Sequence, residues 1–220
     1  MEKLIINGGK KLKGIIDVRG AKNDALVIFA ASLLTSQPVT VSNVPEIEDT
    51  KRMLELMKKL GCQVERLKYG KYLIRAQNLN SNLIDPEIAE KIRASVLLTA
   101  PLLARLGKVS FPHPGGCVIG KRPIDQFLDG YKNMDAKVSQ KKQLYEINAP
   151  RLKGAEFIFS NITVTGTESL IMAAALAKGK TTLKNCACEP EVKSLADFLN
   201  KCGAKIKGAG TSFITVNGVA

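Results

Sequence analysis

The 220-residue sequence predicts a mixed α/β (α+β) protein, with three similar units laying sheets around buried helices. Three observations carry that prediction. Leu12-Lys13-Gly14-Ile15-Ile16 recurs as Leu152-Lys153-Gly154-Ala155-Glu156, and each is followed by the same succession of segments. The helical segments that come next, within Ala25–Leu34 and Leu170–Ala177, are apolar nearly all round, as buried helices are. Glycine stands just beyond each of two later amphipathic helices, the usual stop signal at C′.

In the first unit, the strand-like 12–16 precedes a helix over Ala21–Thr35 and a strand at Val39–Asn43. An amphipathic helix over Glu48–Leu60 then stops at Gly61, and Gln63–Arg66 pairs with Tyr72–Arg75 as a hairpin. The last unit repeats this with a helix over Gly166–Lys178, a strand from Thr181 to Asn185, and a helix over Pro190–Cys202 ended by Gly203. Between them lies a third copy. Asp85-Pro86-Glu87 reads as N-cap, N1 and acidic first turn of a helix reaching Arg105. Val109-Ser110-Phe111 is its strand, and Pro123–Asn133 its second helix. From strand start to helix end, 22 positions separate Val39 from Gly61 and Thr181 from Gly203, but 26 separate Val109 from Asp135. The extra residues fall in Pro112–Pro123. Repeats of about 70 residues with strand, helix, strand, helix and hairpin argue for pseudo-symmetric units around one core.

Composition bounds the function. Apolar residues form 45% and charged residues 24% of the chain, which excludes a disordered or collagen-like chain. Thirty-three Lys and Arg against 20 Asp and Glu give +13, which calls for an anionic partner: nucleic acid, membrane surface or phosphorylated small molecule. The apolar runs Ala25–Leu34 and Ala94–Ala104 fall short of the roughly 20 residues that span a bilayer. No signal-peptide pattern opens the chain, so a cytoplasmic protein with five free cysteines and no membrane partner is expected. Cys186-Ala187-Cys188 is too tight for a usual zinc half-site and His113 is the single histidine, so neither a metal nor a cofactor is expected. Aromatic residues at 5% and no Trp leave little for stacking bases, so nucleic acid is not the expected partner. Gly208-Ala209-Gly210 joins strands rather than a strand to a helix, which excludes a dinucleotide fingerprint.

Longer loops on a repeated scaffold are where chemistry is grafted. Pro112–Pro123 is such a loop, and Lys121 and Arg122 stand near Cys117, where a cation favours thiolate. A structural cysteine in a surface turn is the alternative. Lys22-Asn23 opens a buried helix, where a lysine suits an anion or merely sits in a solvated turn. Thr163-Val164-Thr165-Gly166-Thr167 opens the equivalent helix, either holding a phosphate or capping the helix through Thr165 or Thr167. Arg93, in an apolar helical stretch, calls for a salt bridge or a ligand.

Pro114-Gly115-Gly116-Cys117-Val118-Ile119-Gly120-Lys121-Arg122-Pro123, with Lys22-Asn23 upstream, resembles the UDP-N-acetylglucosamine enolpyruvyl transferases of peptidoglycan synthesis. The similarity runs from Leu4-Ile5-Ile6-Asn7-Gly8-Gly9 to Val216-Asn217-Gly218-Val219. It implies an inverted α/β prism of three βαβαββ units, and transfer of the enolpyruvyl group from phosphoenolpyruvate to the sugar 3′-hydroxyl. By resemblance, Cys117 is the general acid and the target of fosfomycin, and Lys22 and Arg122 bind phosphoenolpyruvate with Arg93 close by. Asn23 would contact the amino sugar. Pro123, Ile124, Asp125 and Gln126, with Arg122, would embrace the uridine, and Thr163, Val164 and Thr165 the diphosphate; the family usually has Gly where Thr165 stands. The family runs to about twice this length, which makes this chain its first prism, residues 21–220, with repeats near 12–80, 85–150 and 151–220. Residues 1–20 would then pair with a second prism. The resemblance leaves as alternatives a non-catalytic module binding UDP-sugars or nucleic acid, and self-association through the face left open.

Overall fold

The computed structural model describes residues 3–115 and 123–219. The first unit comprises α1 (Lys22–Ala31), β1 (Val39–Val41), α2 (Glu48–Lys59), β2 (Gln63–Lys68) and β3 (Lys71–Arg75). The middle unit holds α3 (Pro86–Ala89), a 3-10 turn at Arg93–Leu98, α4 (Thr99–Leu106), β4 (Lys108–Pro112), α5 (Asp125–Asn133), β5 (Lys137–Lys141) and β6 (Leu144–Asn148). The last has β7 (Glu156–Ile158), α6 (Val164–Ala175), β8 (Lys180–Lys184), α7 (Pro190–Lys201), β9 (Lys205–Lys207) and β10 (Phe213–Asn217). Each unit contributes one sheet, ordered β1-β3-β2, β4-β6-β5 and β7-β8-β10-β9.

The all-round apolar helices are buried as their composition requires. Every residue of α1 from Ala25 to Ala31 is in the core; every residue of α6 from Gly166 to Ala175 is buried, with those from Leu170 onward in the core. The second helices bury one stripe only: Met53, Leu54, Leu56 and Met57 on α2, and Val192, Leu195, Ala196 and Leu199 on α7. Each has an acid in its first turn and a lysine in its last, complementing the helix dipole. Gly61 and Gly203 follow their ends at φ of +100° and +102°, a conformation that other residues adopt only with strain. The first hairpin pairs Gln63 with Arg75 and Arg66 with Tyr72, the expected register.

Two expectations need correction. The helix expected from Asp85 to Arg105 is broken into α3, the 3-10 turn and α4. Pro101 lacks an N–H, so it is accommodated only in the first turn of a helix that starts afresh at Thr99. Asp85 still caps its short helix, accepting from Ile88 N at 3.1 Å and binding Lys59 at 2.7 Å. The lysine holds its carboxyl below the usual range, against the effect of partial burial.

The strand expected at Leu12–Ile16 does not form. In the last unit β7 pairs parallel with β8, and in the middle one only the bridge Leu83–Ser110 remains. Residues 3–19 are exposed, with Leu12 at 98% and Ile15 at 96%, and Arg19 lies over the Tyr69 ring of the first hairpin at 5.1 Å. A strand needs a neighbour for its N–H and C=O groups, and none is presented here. Among the described residues, no helix is long and apolar enough to cross a membrane.

Four cysteines among the described residues are free. Burial pushes the Cys62 and Cys186 thiols up to about 12, while Cys188 and Cys202 are exposed. Burial raises the Cys202 thiol as well, so iodoacetamide at pH 8 is expected to modify Cys188 readily, Cys202 more slowly, and to spare Cys62 and Cys186, as peptide mass mapping would show. Rapid modification of Cys62 in the native chain would mean that the α2–β2 corner is open.

Candidate active site

A cleft of about 720 Å³ opens where the N-terminal ends of several helices meet. The first turn of α1 supplies Lys22 and Asn23, and the first turn of α2 supplies Asp49. Arg93 starts the 3-10 turn, Gln126 and Phe127 lie on α5, Thr163 caps α6, and Val164, Thr165 and Glu168 lie on it. Glu191 comes from α7. Helix N-termini carry unpaired N–H groups and partial positive charge, so their convergence favours an anionic ligand. Lys22, Lys91 and Arg93 add to that field.

Of the residues expected at a site, Lys22, Asn23, Arg93, Pro123, Gln126, Thr163, Val164 and Thr165 line this one cleft. They come from all three units. Ile124 and Asp125 do not line it: Ile124 is 2% exposed in the core, and Asp125 sits in the first turn of α5. An apolar side chain flanked by Phe127 and Leu128 gains more from burial than from the cleft. Cys117 and Arg122, with Lys121, lie outside the described residues.

Several of these side chains have partners within the fold. Lys22 Nζ binds Asp49 at 2.9 Å, so a ligand anion must compete with that carboxylate. Asn23 Nδ2 donates to Glu191 Oε1 at 3.1 Å, tying the first unit to the last. Gln126 Oε1 accepts from Asn161 N at 3.2 Å. The cap of α6 is Thr163, whose Oγ1 accepts from Gly166 N at 3.2 Å, and neither Thr165 nor Thr167. Thr167 is fully buried and accepts from Ala187 N at 3.1 Å, holding the approach to α7. Thr163→Ala should therefore cost about 1 kcal/mol of stability, read as a lower urea midpoint with an unchanged slope. No loss would show that the cap is dispensable.

Asp49, Lys91, Asn161, Glu168 and Glu191 line the cleft but carry no sequence motif. Asp49 and Glu191 look like ordinary first-turn acids. Glu168 did carry a signal, the one that marks Arg93: a charge within an apolar helix. Its residue is 4% exposed, and burial pushes its carboxyl up to about 8, with Glu191, Glu189 and Asp24 adding to the effect. Among the described residues, no group of three or more His, Cys, Asp or Glu side chains is arranged to hold a metal.

Buried helices ringed by three sheets, with a cleft at helix N-termini, define the enolpyruvyl transferase class of fold. The chain belongs to the EPSP synthase (3-phosphoshikimate 1-carboxyvinyltransferase) family, whose sequence profile matches residues 6–220. UDP-N-acetylglucosamine 1-carboxyvinyltransferase of Coxiella burnetii is 46% identical over 223 residues, covering 100% of this chain and 51% of that protein. UDP-N-acetylglucosamine 1-carboxyvinyltransferase 1 of Carboxydothermus hydrogenoformans is 48% identical over 220 residues, with 100% and 52% covered. The chain thus spans about half the length of the curated relatives it matches. Among solved structures, the enolpyruvyl transferase NikO of Streptomyces tendae superposes with a TM-score of 0.84 at 19% identity, over 97% of this chain and 50% of that one. EPSP synthase of Acinetobacter baumannii gives 0.76 at 19%, over 97% and 48%. At these identities the structures establish the fold.

Proposed function

We propose that this chain works as the first half of a UDP-N-acetylglucosamine 1-carboxyvinyltransferase, transferring the enolpyruvyl group of phosphoenolpyruvate to the sugar 3′-hydroxyl in peptidoglycan synthesis. The observation that carries the reading is the convergence of eight motif residues from all three units on one cleft. Relatives of that name at 46% and 48% identity along the whole chain support it.

In this reading the 3′-hydroxyl gives its proton to a base that the second half would supply, and its oxygen adds to C2 of phosphoenolpyruvate while Cys117 delivers a proton to the methylene carbon. Phosphate then leaves the tetrahedral ketal as the new methyl group gives up a proton, to the Cys117 thiolate or the departing phosphate, and the carbon–carbon double bond reforms. Lys22, exchanging Asp49 for substrate, would hold the phosphoenolpyruvate anion together with Arg93 and Arg122. A guanidinium fork suits both carboxylate and phosphate. Asn23 would meet the amino sugar, Thr163, Val164 and Thr165 the diphosphate at the start of α6, and Pro123 and Gln126 the uridine. A cytoplasmic setting fits this reading, as does a second-half polypeptide that completes the cleft.

Calorimetric titration with UDP-N-acetylglucosamine should show one site per chain, and fosfomycin should modify Cys117 alone. Absence of sugar-nucleotide binding, or modification spread over Cys188 and Cys202, would contradict the reading. A binding module for nucleic acid would instead show affinity that collapses steeply with salt.

A further inference from the structure

Lys91 and Arg93 face the cleft from a short link rather than from a long helix. Residues 90–92 join α3, which ends at Ala89, to the 3-10 turn that starts at Arg93. Ile92 within the link is extended, with φ of −140° and ψ of 118°. A four-residue helix followed by an extended residue has little rigidity of its own, so its neighbours set its position. Ala89 O accepts from Ile92 N and from Ser95 Oγ, each at 3.3 Å. On one side Gly115 packs so close that a Cβ there would fall on the Glu90 carbonyl. On the other, α2 of the first unit holds both ends of the segment. Lys59 Nζ binds Asp85, the cap of α3, at 2.7 Å, and Arg52 Nη1 donates to Lys91 O at 3.2 Å.

We propose that Arg52 is a positioning residue: its guanidinium, bridging Glu48 and the Lys91 carbonyl, fixes the link and thereby presents Lys91 and Arg93 to an anion in the cleft. That the anion is phosphoenolpyruvate rests on the functional reading above; the bracing of the link does not.

The chemistry of the bridge suits an arginine. Arg52 Nε donates to Glu48 Oε1 at 2.9 Å, one turn earlier on α2, while Nη1 serves the Lys91 carbonyl. A rigid guanidinium plane holds both acceptors at fixed directions, which the point charge of a lysine does not. The Arg52 side chain is 28% exposed, so the bridge is partly shielded from competing water. The same first turn of α2 carries Asp49, which binds Lys22 at 2.9 Å. One end of α2 therefore reaches the cleft cations of two units, Lys22 through Asp49 and the 90–93 segment through Arg52.

The test combines amide hydrogen exchange and ligand titration, both by NMR on the full chain. Arg52→Ala should speed exchange at the Ile92 and Ser95 amides about tenfold, as loss of one charge-assisted bond implies, while Leu56 and Met57 in α2 stay slow. Glu48→Ala breaks the same helical ion pair but leaves a donor for Lys91 O, so those two amides should keep nearly their wild-type rates. Equal acceleration in both variants would mean that the arginine serves α2 alone, and would overturn the proposal. In the second arm, phosphoenolpyruvate is titrated in the presence of UDP-N-acetylglucosamine. Arg52→Ala should weaken its binding about tenfold, whereas Lys51→Ala, which removes an exposed charge next door, should change it less than about twofold. A merely structural role would lower the urea midpoint and leave the affinity of the folded chain intact. Unchanged affinity in Arg52→Ala, or an equal loss in Lys51→Ala, would overturn the proposal. If the wild-type chain binds neither ligand, the functional reading fails instead, and the exchange rates at Ile92 and Ser95 still decide the role of Arg52.

Discussion

Phe29→Ala is expected to lower the unfolding free energy by about 3–5 kcal/mol. Phe29 is fully buried in the middle of α1, the helix that is enclosed from Ala25 to Ala31. Its ring meets Tyr72 of β3 edge to face, with centroids 6.1 Å apart and planes at 88°. Removing it strips contacts from both helix and sheet and leaves a cavity that the surrounding backbone cannot close. At roughly 2–4 °C per kcal/mol for a chain of this size, the melting temperature should drop by about 10 °C. Leu12→Ala provides the contrast, because at 98% exposure that side chain packs on nothing and the change should stay within about 0.5 kcal/mol. A mild Phe29→Ala phenotype would show that α1 is not a central element of the core.

The second large effect is a pH dependence of stability that belongs to Glu168. Its pKa rises on folding from 4.5 to about 8. The folded chain therefore binds the proton more tightly than the unfolded one. The stabilisation is complete below pH 4.5 and is lost as pH climbs through 8. At about 1.36 kcal/mol per pKa unit, the loss amounts to about 3–5 kcal/mol. Glu168→Gln should remove this slope, matching wild type near pH 5 and exceeding it at pH 9. Urea midpoints at five pH values for both chains would show it, and an unchanged slope in the variant would contradict the assignment. Asp85 acts in the opposite sense: its carboxyl is held down by Lys59, so its contribution is lost only on acidification below the ordinary carboxylate range.

Much of the scaffold was legible in the sequence because local signals and burial agreed. The runs within α1 and α6, the stops at Gly61 and Gly203, and the alternation in the first hairpin each point to one structure. The failures arise where tertiary context decides. Leu12–Ile16 has strand composition but meets no partner strand, and no local pattern reports that. The stretch from Asp85 to Arg105 keeps helical periodicity, yet Pro101 forces a new start within it.

The site was half legible, and the divide is chemical. Residues that bring positive charge or a helix N-terminus, such as Lys22, Arg93 and Thr163, stand out against their neighbours. The acidic wall does not: Asp49 and Glu191 are the residues any helix dipole would favour in a first turn. Only the fold brings Glu191 to Asn23, across 168 positions of sequence.

The central claim is that this chain supplies one part of a two-part active site. The direct test is phosphate release from phosphoenolpyruvate in the presence of UDP-N-acetylglucosamine, with and without a polypeptide covering the second half of a relative such as the Coxiella burnetii enzyme. The chain alone should release none. With the second half added, phosphate should appear in step with enolpyruvyl product and depend on both substrates. Sustained turnover by the 220 residues alone would contradict the account.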